Sequence, residues 1–172
     1  MAEAELAIQL GIPARAEYVA LARLVVSSLA SSRRELADDR IDDLKVAVSE
    51  ACTNAIEAHR STGAGDNVSI ACIEYDDRLV VRVTDQGEGF DPSLLPDHPP
   101  VTDPERLNFE RGLGIPLIRT LVDDLQIDSG PQGTDIRMIM LCPRADFFDD
   151  ITIADDFGLD GAAGSHGAEE PS

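Results

Sequence analysis

The chain has 172 residues, of which 43% are hydrophobic, and its 33 acidic and 14 basic side chains give a formal net charge of −19. This length is enough for one domain with a sizeable core and too short for two ordinary domains. The negative charge argues against direct binding to nucleic acid or to an anionic membrane. No apolar run approaches the roughly 20 residues of a membrane-spanning helix, and the acidic N-terminus is unlike a secretory signal, so we expect a cytoplasmic protein.

The first part of the chain predicts one strand followed by two helices. Weak alternation over residues 4–12 indicates the strand, and apolar residues at helical spacing over 15–30 indicate an amphipathic helix. The inward positions predicted for this first helix are Tyr18, Leu21, Ala22, Val25 and Leu29. A second helix is predicted from about Asp39 to His59. Its predicted core stripe consists of Ile41, Leu44, Val48, Cys52 and Ala55.

The next part predicts a hairpin and then an irregular segment. Two runs rich in branched residues, 68–75 and 78–84, are joined by Asp76-Asp77, which is typical of a β-hairpin. Five prolines between residues 91 and 110 are incompatible with a helix or an internal strand. An irregular segment of this length inside a compact domain is usually a functional lid or a disordered segment.

The last part predicts a third helix from about Gly112, strands at about 125–129 and 134–142, and an acidic tail. The order of elements predicts an α+β fold: a two-layer sandwich with the helices on one face of a mixed, mainly antiparallel sheet. We assign the folded domain to residues 1–145 and the tail, which we expect to be largely disordered, to 146–172.

The three cysteines, Cys52, Cys72 and Cys142, are odd in number, far apart and surrounded by apolar residues. The chain contains no C-x-x-C pair, so neither a disulfide framework nor a zinc site is indicated. We therefore expect all three cysteines to be small core residues.

Glu50 and Asn54 are the most informative pair in the chain. Residues four apart lie one turn above each other on the same helix face, and this pair does not fall on the core stripe of its helix. A half-buried carboxylate is suited to be a general base, and a carboxamide oxygen suits Mg²⁺ that is held mostly by water and phosphate oxygens. The alternatives are a surface glutamate and an asparagine bonded to neighbouring backbone.

Asp85 follows a predicted strand and precedes Gly87 and Gly89. A sheltered carboxylate at this position can accept a hydrogen bond from an exocyclic amine, which adenine offers and the O6 atom of guanine does not. The glycines would permit positive φ angles and close approach of a ligand to the backbone. The alternative is an ordinary turn after a strand.

A third block, Gly112-Leu113-Gly114, opens the last predicted helix. Free N–H groups at a helix start bind phosphate, although the same sequence also suits a flexible helix entry. The block belongs neither to a P-loop, because the G-x-x-x-x-G-K-[ST] run is missing, nor to a dinucleotide fingerprint, because it follows no strand and lacks a third glycine. Thr134, after Gly133, is placed to offer a hydroxyl to a nucleotide or is simply a turn residue.

Taken in order, these blocks resemble the conserved boxes of the GHKL ATPase superfamily, which includes histidine kinases, gyrase B, Hsp90 and MutL. Within it, the sequences 41–55 and 13–19, with Gly112-Leu113-Gly114 and the helix after it, resemble the anti-sigma-factor serine kinases of the RsbW and SpoIIAB type. The resemblance covers roughly residues 5–142 and implies a two-layer α/β sandwich that forms a homodimer.

The resemblance also implies a role for each matching residue. Glu50 would be the catalytic base and Asn54 the ligand of Mg²⁺. The residues implied in ATP binding are Asn54, Asp85 for adenine, Gly87 and Gly89 for the base pocket, Arg111 for the terminal phosphate, Gly112, Leu113 and Gly114 for the phosphates, and Thr134. Residues 91–111 would form the ATP lid.

The function implied is an anti-sigma factor that sequesters an alternative sigma factor and uses ATP to phosphorylate a serine of an anti-sigma-factor antagonist. One departure from the family is that the usual histidine four residues after the asparagine is replaced by Ala58, with a histidine at 59 instead.

Two other hypotheses for the function stay open at this stage. One is a non-enzymatic switch module of the same fold. The other, weaker one is the ATP-binding half of a histidine kinase, although no helix with a phosphorylatable histidine precedes the site.

Overall fold

The computed structural model describes residues 6–62, 67–91 and 114–142. In chain order the elements are strand β1 (Leu6–Pro13), a 3₁₀ turn (Ala16–Tyr18), helices α1 (Val19–Ser32) and α2 (Asp38–Thr62), strands β2 (Asn67–Tyr75) and β3 (Arg78–Asp85), helix α3 (Gly114–Leu121), and strands β4 (Asp124–Gly130) and β5 (Gly133–Leu141). Most of the predicted lid and the acidic tail lie outside the described residues.

The five strands form one sheet in the order β1-β2-β3-β5-β4. All four pairings between the described strands are antiparallel, and the β3–β5 pairing places Asp85 opposite Thr134. The predicted α+β sandwich with a mainly antiparallel sheet is confirmed. Because β3 and β5 are neighbours although α3 lies between them in the chain, the end of β3 and the start of β5 lie side by side.

One face of the sheet packs against the helices and forms the core. Burial alternates along β3 and β5, so that Leu79, Val81 and Val83 face the helices together with Ile136, Met138 and Met140. The predicted stripe of α2 is confirmed, since all five of its residues are buried. This alternation is what a sheet with one covered face requires.

Helix α1 is rotated by about one residue from its predicted orientation. Leu21 was expected to face inward but is 43% exposed, whereas Ala22, Val26 and Ala30 are buried. Residues four apart share a helix face, so the buried row is one of small side chains. The prediction was therefore wrong for Leu21, whereas Ala22 was assigned correctly and Tyr18 and Leu29 pack against the core.

Helical spacing predicts Leu117, Ile118, Leu121 and Val122 as the inward positions around helix α3. Ile118 and Val122 are buried and Leu121 packs against the core, but the prediction was wrong for Leu117, which is 41% exposed. The cysteine prediction is confirmed, because all three are buried and free. Burial raises the pKa of the Cys52 thiol to about 12, as expected of an unreactive core residue.

Candidate functional site

Helix α2 carries Glu50 and Asn54 toward the first turn of α3. Both side chains are half-buried, on a face next to the core stripe. A Cβ atom added to Gly114 would lie 2.9 Å from Nδ2 of Asn54 and 3.3 Å from Oε2 of Glu50. The start of α3 therefore covers the face of α2 that carries Glu50 and Asn54, and a side chain at position 114 would displace one of these two groups.

The orientation of α3 is fixed at its other end by Arg40, near the start of α2. Arg40 donates to the carbonyl oxygen of Leu121 over 3.2 Å and forms an ion pair of 2.8 Å with Asp123. The start of α2 therefore contacts the end of α3, and the later part of α2 contacts the start of α3. The two helices run in opposite directions, which aims the N-terminus of α3 at Asn54.

Asp85 ends β3 and is buried, with 6% of its surface exposed. Its Oδ1 atom accepts a hydrogen bond of 2.8 Å from the backbone N–H of Gly87. Burial raises the pKa of the Asp85 carboxyl, and the N–H of Gly87, the nearby His59 and the backbone of Thr134 oppose that rise. A sheltered acceptor of this kind at the end of a strand fits the predicted recognition of an amine on a base.

The glycines around Asp85 allow backbone segments to approach one another closely. A Cβ atom at Gly87 would lie 2.6 Å from the carbonyl carbon of Ala58 in α2, and a Cβ atom at Gly89 would lie 2.7 Å from the nitrogen of Gly130. Neither glycine uses the positive φ that it would permit, since among the described residues only Gly133 has one, at 123°. These glycines are needed for packing between chain segments.

Thr134 belongs to a hydroxyl pair that reaches the beginning of the predicted lid. The Oγ atom of Ser129 lies 3.0 Å from Oγ1 of Thr134 and accepts a hydrogen bond of 2.9 Å from the N–H of Phe90. Sequence reasoning missed Ser129. The signal was present in the hairpin, because Ser129-Gly130 and Gly133-Thr134 are symmetric about its turn and pair directly.

The structure brings most of the predicted site residues to one end of the sheet. Glu50, Asn54 and Gly114 form what we call the phosphate end of the site. Asp85, Gly87 and Gly89, with Thr134 opposite Asp85, form what we call the base end. Arg111, Gly112 and Leu113 lie outside the described residues, so their predicted contacts with phosphate stay predictions.

The groups at the phosphate end fit a magnesium nucleotide better than a metal alone. No cluster of three or more His, Cys, Asp or Glu side chains that could hold a metal ion is found in ranges 6–62, 67–91 and 114–142. Asn54 offers one neutral oxygen, and such a site requires the other ligands of Mg²⁺ to be water and phosphate oxygens. The donor set is therefore compatible with Mg²⁺ that arrives with a nucleotide.

The chain was compared with known protein families. Residues 12–140 match the family model described as the histidine kinase-like ATPase domain. The matched range includes both ends of the site. Among the described helices, none is both long enough and apolar enough to cross a membrane.

Two relatives indicate which kind of protein within this family the chain is most similar to. The serine-protein kinase RsbW of Bacillus cereus is 41% identical over 123 residues, which cover 70% of this chain and 76% of the relative. The serine-protein kinase RsbW of Bacillus velezensis is 42% identical over 135 residues, which cover 76% of this chain and 82% of the relative. This chain is similar to both along most of their length.

A solved structure supports the fold independently. The crystal structure of the RsbU and RsbW domains of a Mycobacterium tuberculosis protein matches 81% of this chain with a TM-score of 0.58 and 17% identity. The match spans 34% of that solved chain, about a third of its length. At this identity the likeness concerns the fold alone.

Proposed function

For a chain that belongs to the RsbW-type serine-protein kinases, with a histidine kinase-like ATPase domain, we propose that the site at the end of the sheet binds Mg-ATP and transfers its terminal phosphoryl group to a protein serine. One observation supports this most directly. A carboxylate and a carboxamide on α2 meet the N-terminus of α3 at Gly114, where no side chain intervenes.

Each group has a role in this reaction. Asp85 accepts a hydrogen bond from the adenine amine, and the N–H groups at the start of α3, with Arg111, Gly112 and Leu113 before it, bind the phosphates. Asn54 supplies an oxygen ligand to Mg²⁺, which neutralises charge on the phosphates when bound. Thr134 offers its hydroxyl to the nucleotide.

Glu50 takes the proton. As the serine oxygen forms its bond to the terminal phosphorus, the bond from phosphorus to the bridging oxygen of ADP breaks, and Glu50 accepts the serine proton. The half-buried position of Glu50 beside Asn54, which would hold Mg²⁺, supports this role. Most of the catalysis in such a site comes from positioning and electrostatic stabilisation.

The biological role that we propose is partner switching. The protein sequesters an alternative sigma factor in the cytoplasm, and it phosphorylates a serine of an anti-sigma-factor antagonist. An unphosphorylated antagonist captures the kinase and frees the sigma factor. The relatives' names as serine-protein kinases support the phosphoryl transfer, and we further propose that the active form is a homodimer.

Two measurements test the proposal. Thermal unfolding should show stabilisation by Mg-ATP and Mg-ADP but not by Mg-GTP, and a ligand at 100 times its dissociation constant adds about 2.7 kcal/mol. Purified antagonist should then gain labelled phosphate from γ-labelled ATP at a serine. If the antagonist binds but gains no phosphate, the protein is a switch module that does not transfer phosphate, and the proposed chemistry is wrong.

A further inference from the structure

The last turn of α2 contacts the base end of the site through a residue that the family resemblance does not assign. His59 is buried, with 5% of its surface exposed, although histidine has two polar ring nitrogens and is often partly exposed. Its Nε2 atom lies 3.4 Å from the backbone nitrogen of Gln86 and accepts a long hydrogen bond from that N–H. Gln86 directly follows Asp85.

Three consecutive residues at the base end are thus held by three different contacts. Asp85 accepts a hydrogen bond from the N–H of Gly87, Gln86 donates its N–H to His59, and Gly87 packs against the backbone of Ala58. Two of these contacts come from adjacent residues of one helix turn. The end of α2 therefore holds in place the backbone segment that begins at Asp85.

We propose that His59 is a positioning residue for base recognition. It does not touch the nucleotide; it holds the backbone at Gln86 so that the Asp85 carboxylate stays where the adenine amine meets it. The inference rests on the proposed function, because it concerns the same site. It specifies a residue that sets the preference for adenine over guanine, separately from the groups that bind phosphate.

The test uses two substitutions at position 59 in the full chain. His59→Leu fills the space without an acceptor, whereas His59→Gln keeps a neutral acceptor on a side chain of similar reach. The dissociation constants of Mg-ATP and Mg-GTP are measured by calorimetry for both variants and wild type. Arg60→Leu, an exposed change in the same helix turn, is the control.

Loss of one hydrogen bond should weaken Mg-ATP binding by His59→Leu about five- to tenfold. Binding of Mg-GTP, whose guanine has the O6 atom in place of the adenine amine, should change by less than about twofold. His59→Gln should stay close to wild type with both nucleotides, because it retains the acceptor. In the transfer assay His59→Leu should raise KM for ATP and leave kcat unchanged at saturating ATP.

Two results would overturn the inference. One is wild-type affinity for Mg-ATP in His59→Leu. The other is an equal loss of Mg-ATP and Mg-GTP affinity in that variant, or the same loss in His59→Gln, which is what a purely structural role predicts. Failure of the proposed function is distinguishable, because wild type itself would then show no preference for ATP over GTP.

Discussion

The base end and the phosphate end of the site are built in different ways. At the base end, backbone groups make the contacts: Gly87 N–H bonds to Asp85, and Phe90 N–H bonds to Ser129. At the phosphate end, two side chains on one helix face a glycine. Within ranges 6–62, 67–91 and 114–142, the side chains of Glu50 and Asn54 form no hydrogen bond.

This difference matches what each end has to do. Recognition of a base needs an acceptor at a fixed position, and the hydrogen bond from the backbone N–H of Gly87 to the Asp85 side chain provides that. Phosphoryl transfer needs a base and a metal ligand that change partners as the proton and the phosphoryl group move, and side chains without fixed partners can do so. We therefore expect substitutions at the phosphate end to affect rate, and substitutions at the base end to affect affinity or stability.

The largest effect is expected for Glu50→Gln. Removal of a general base lowers the rate of proton transfer, so phosphorylation of the antagonist should slow by about 10²- to 10⁴-fold. Affinity for Mg-ATP should change little, since Asp85 and the start of α3 are unaltered. Rates of label transfer and calorimetric dissociation constants check this, with the exposed Glu57→Gln on the same helix as control. Transfer at the wild-type rate would remove Glu50 from its assigned role.

Gly133→Ala should lower the stability of the protein through a clash at the base end of the site. Gly133 has a φ of 123°, and an added Cβ atom would lie 2.8 Å from the carbonyl carbon of Asp85. Strain at such a position costs about 1–3 kcal/mol, and the backbone contact adds to it, so the free energy of unfolding should fall by about 3 kcal/mol. Urea denaturation measures this.

Gly11→Ala is the matched control for that experiment. Gly11 also lies in a strand, its φ is not positive, and a Cβ atom added there would have no neighbour within 4 Å. It should be close to neutral. Equal losses in the two variants would show that the contact between Gly133 and Asp85 has no special importance.

Gly114→Ala tests the fit at the phosphate end. The added methyl group would press on Asn54 and Glu50, so one of these side chains or the start of α3 must shift. A displacement of about 1 Å in a catalytic arrangement can cost about 10²-fold in rate. Stability should be nearly unchanged, because alanine favours a helix. Thr120→Ala, exposed on the same helix, is the control, and a normal transfer rate in Gly114→Ala would contradict the assignment.

Asp85→Asn should separate recognition from stability. Loss of the charged acceptor should weaken Mg-ATP binding about tenfold or more. The folded state binds the Asp85 proton more readily than the unfolded state, because the pKa is raised, so the ionised form lowers stability at neutral pH. The nucleotide-free variant should therefore be at least as stable as wild type.

The stability of Asp85→Asn relative to wild type should also depend on pH, in a direction that can be checked. Below the ordinary pKa of an aspartate, Asp85→Asn and wild type should have the same free energy of unfolding. As pH rises through the raised pKa of Asp85, the variant should become increasingly more stable than wild type. Denaturation curves of both proteins at several pH values measure it, with exposed Asp128→Asn as control. A difference that shrinks as pH rises would contradict the raised pKa.

Much of the fold was predictable because its signals are local. The hairpin of β2 and β3 was predicted within one residue at each end, since branched residues and Asp76-Asp77 define it. The core stripe of α2 was also predicted correctly. The inward positions predicted for Leu21 in α1 and Leu117 in α3 were wrong, since helical spacing places them near the edge of the buried face and the packing of each helix leaves them exposed.

The sequence by itself determined that Glu50 and Asn54 share a helix face and that Asp85 ends a strand, because helix and strand periodicity are properties of neighbouring residues. Only the tertiary structure decided that Gly114 meets Asn54, that Ser129 bonds to Phe90 and that His59 reaches Gln86. These contacts depend on the strand order and on how closely α2 approaches the sheet and α3. Such distances between segments far apart in the chain are set by the packing of the whole core.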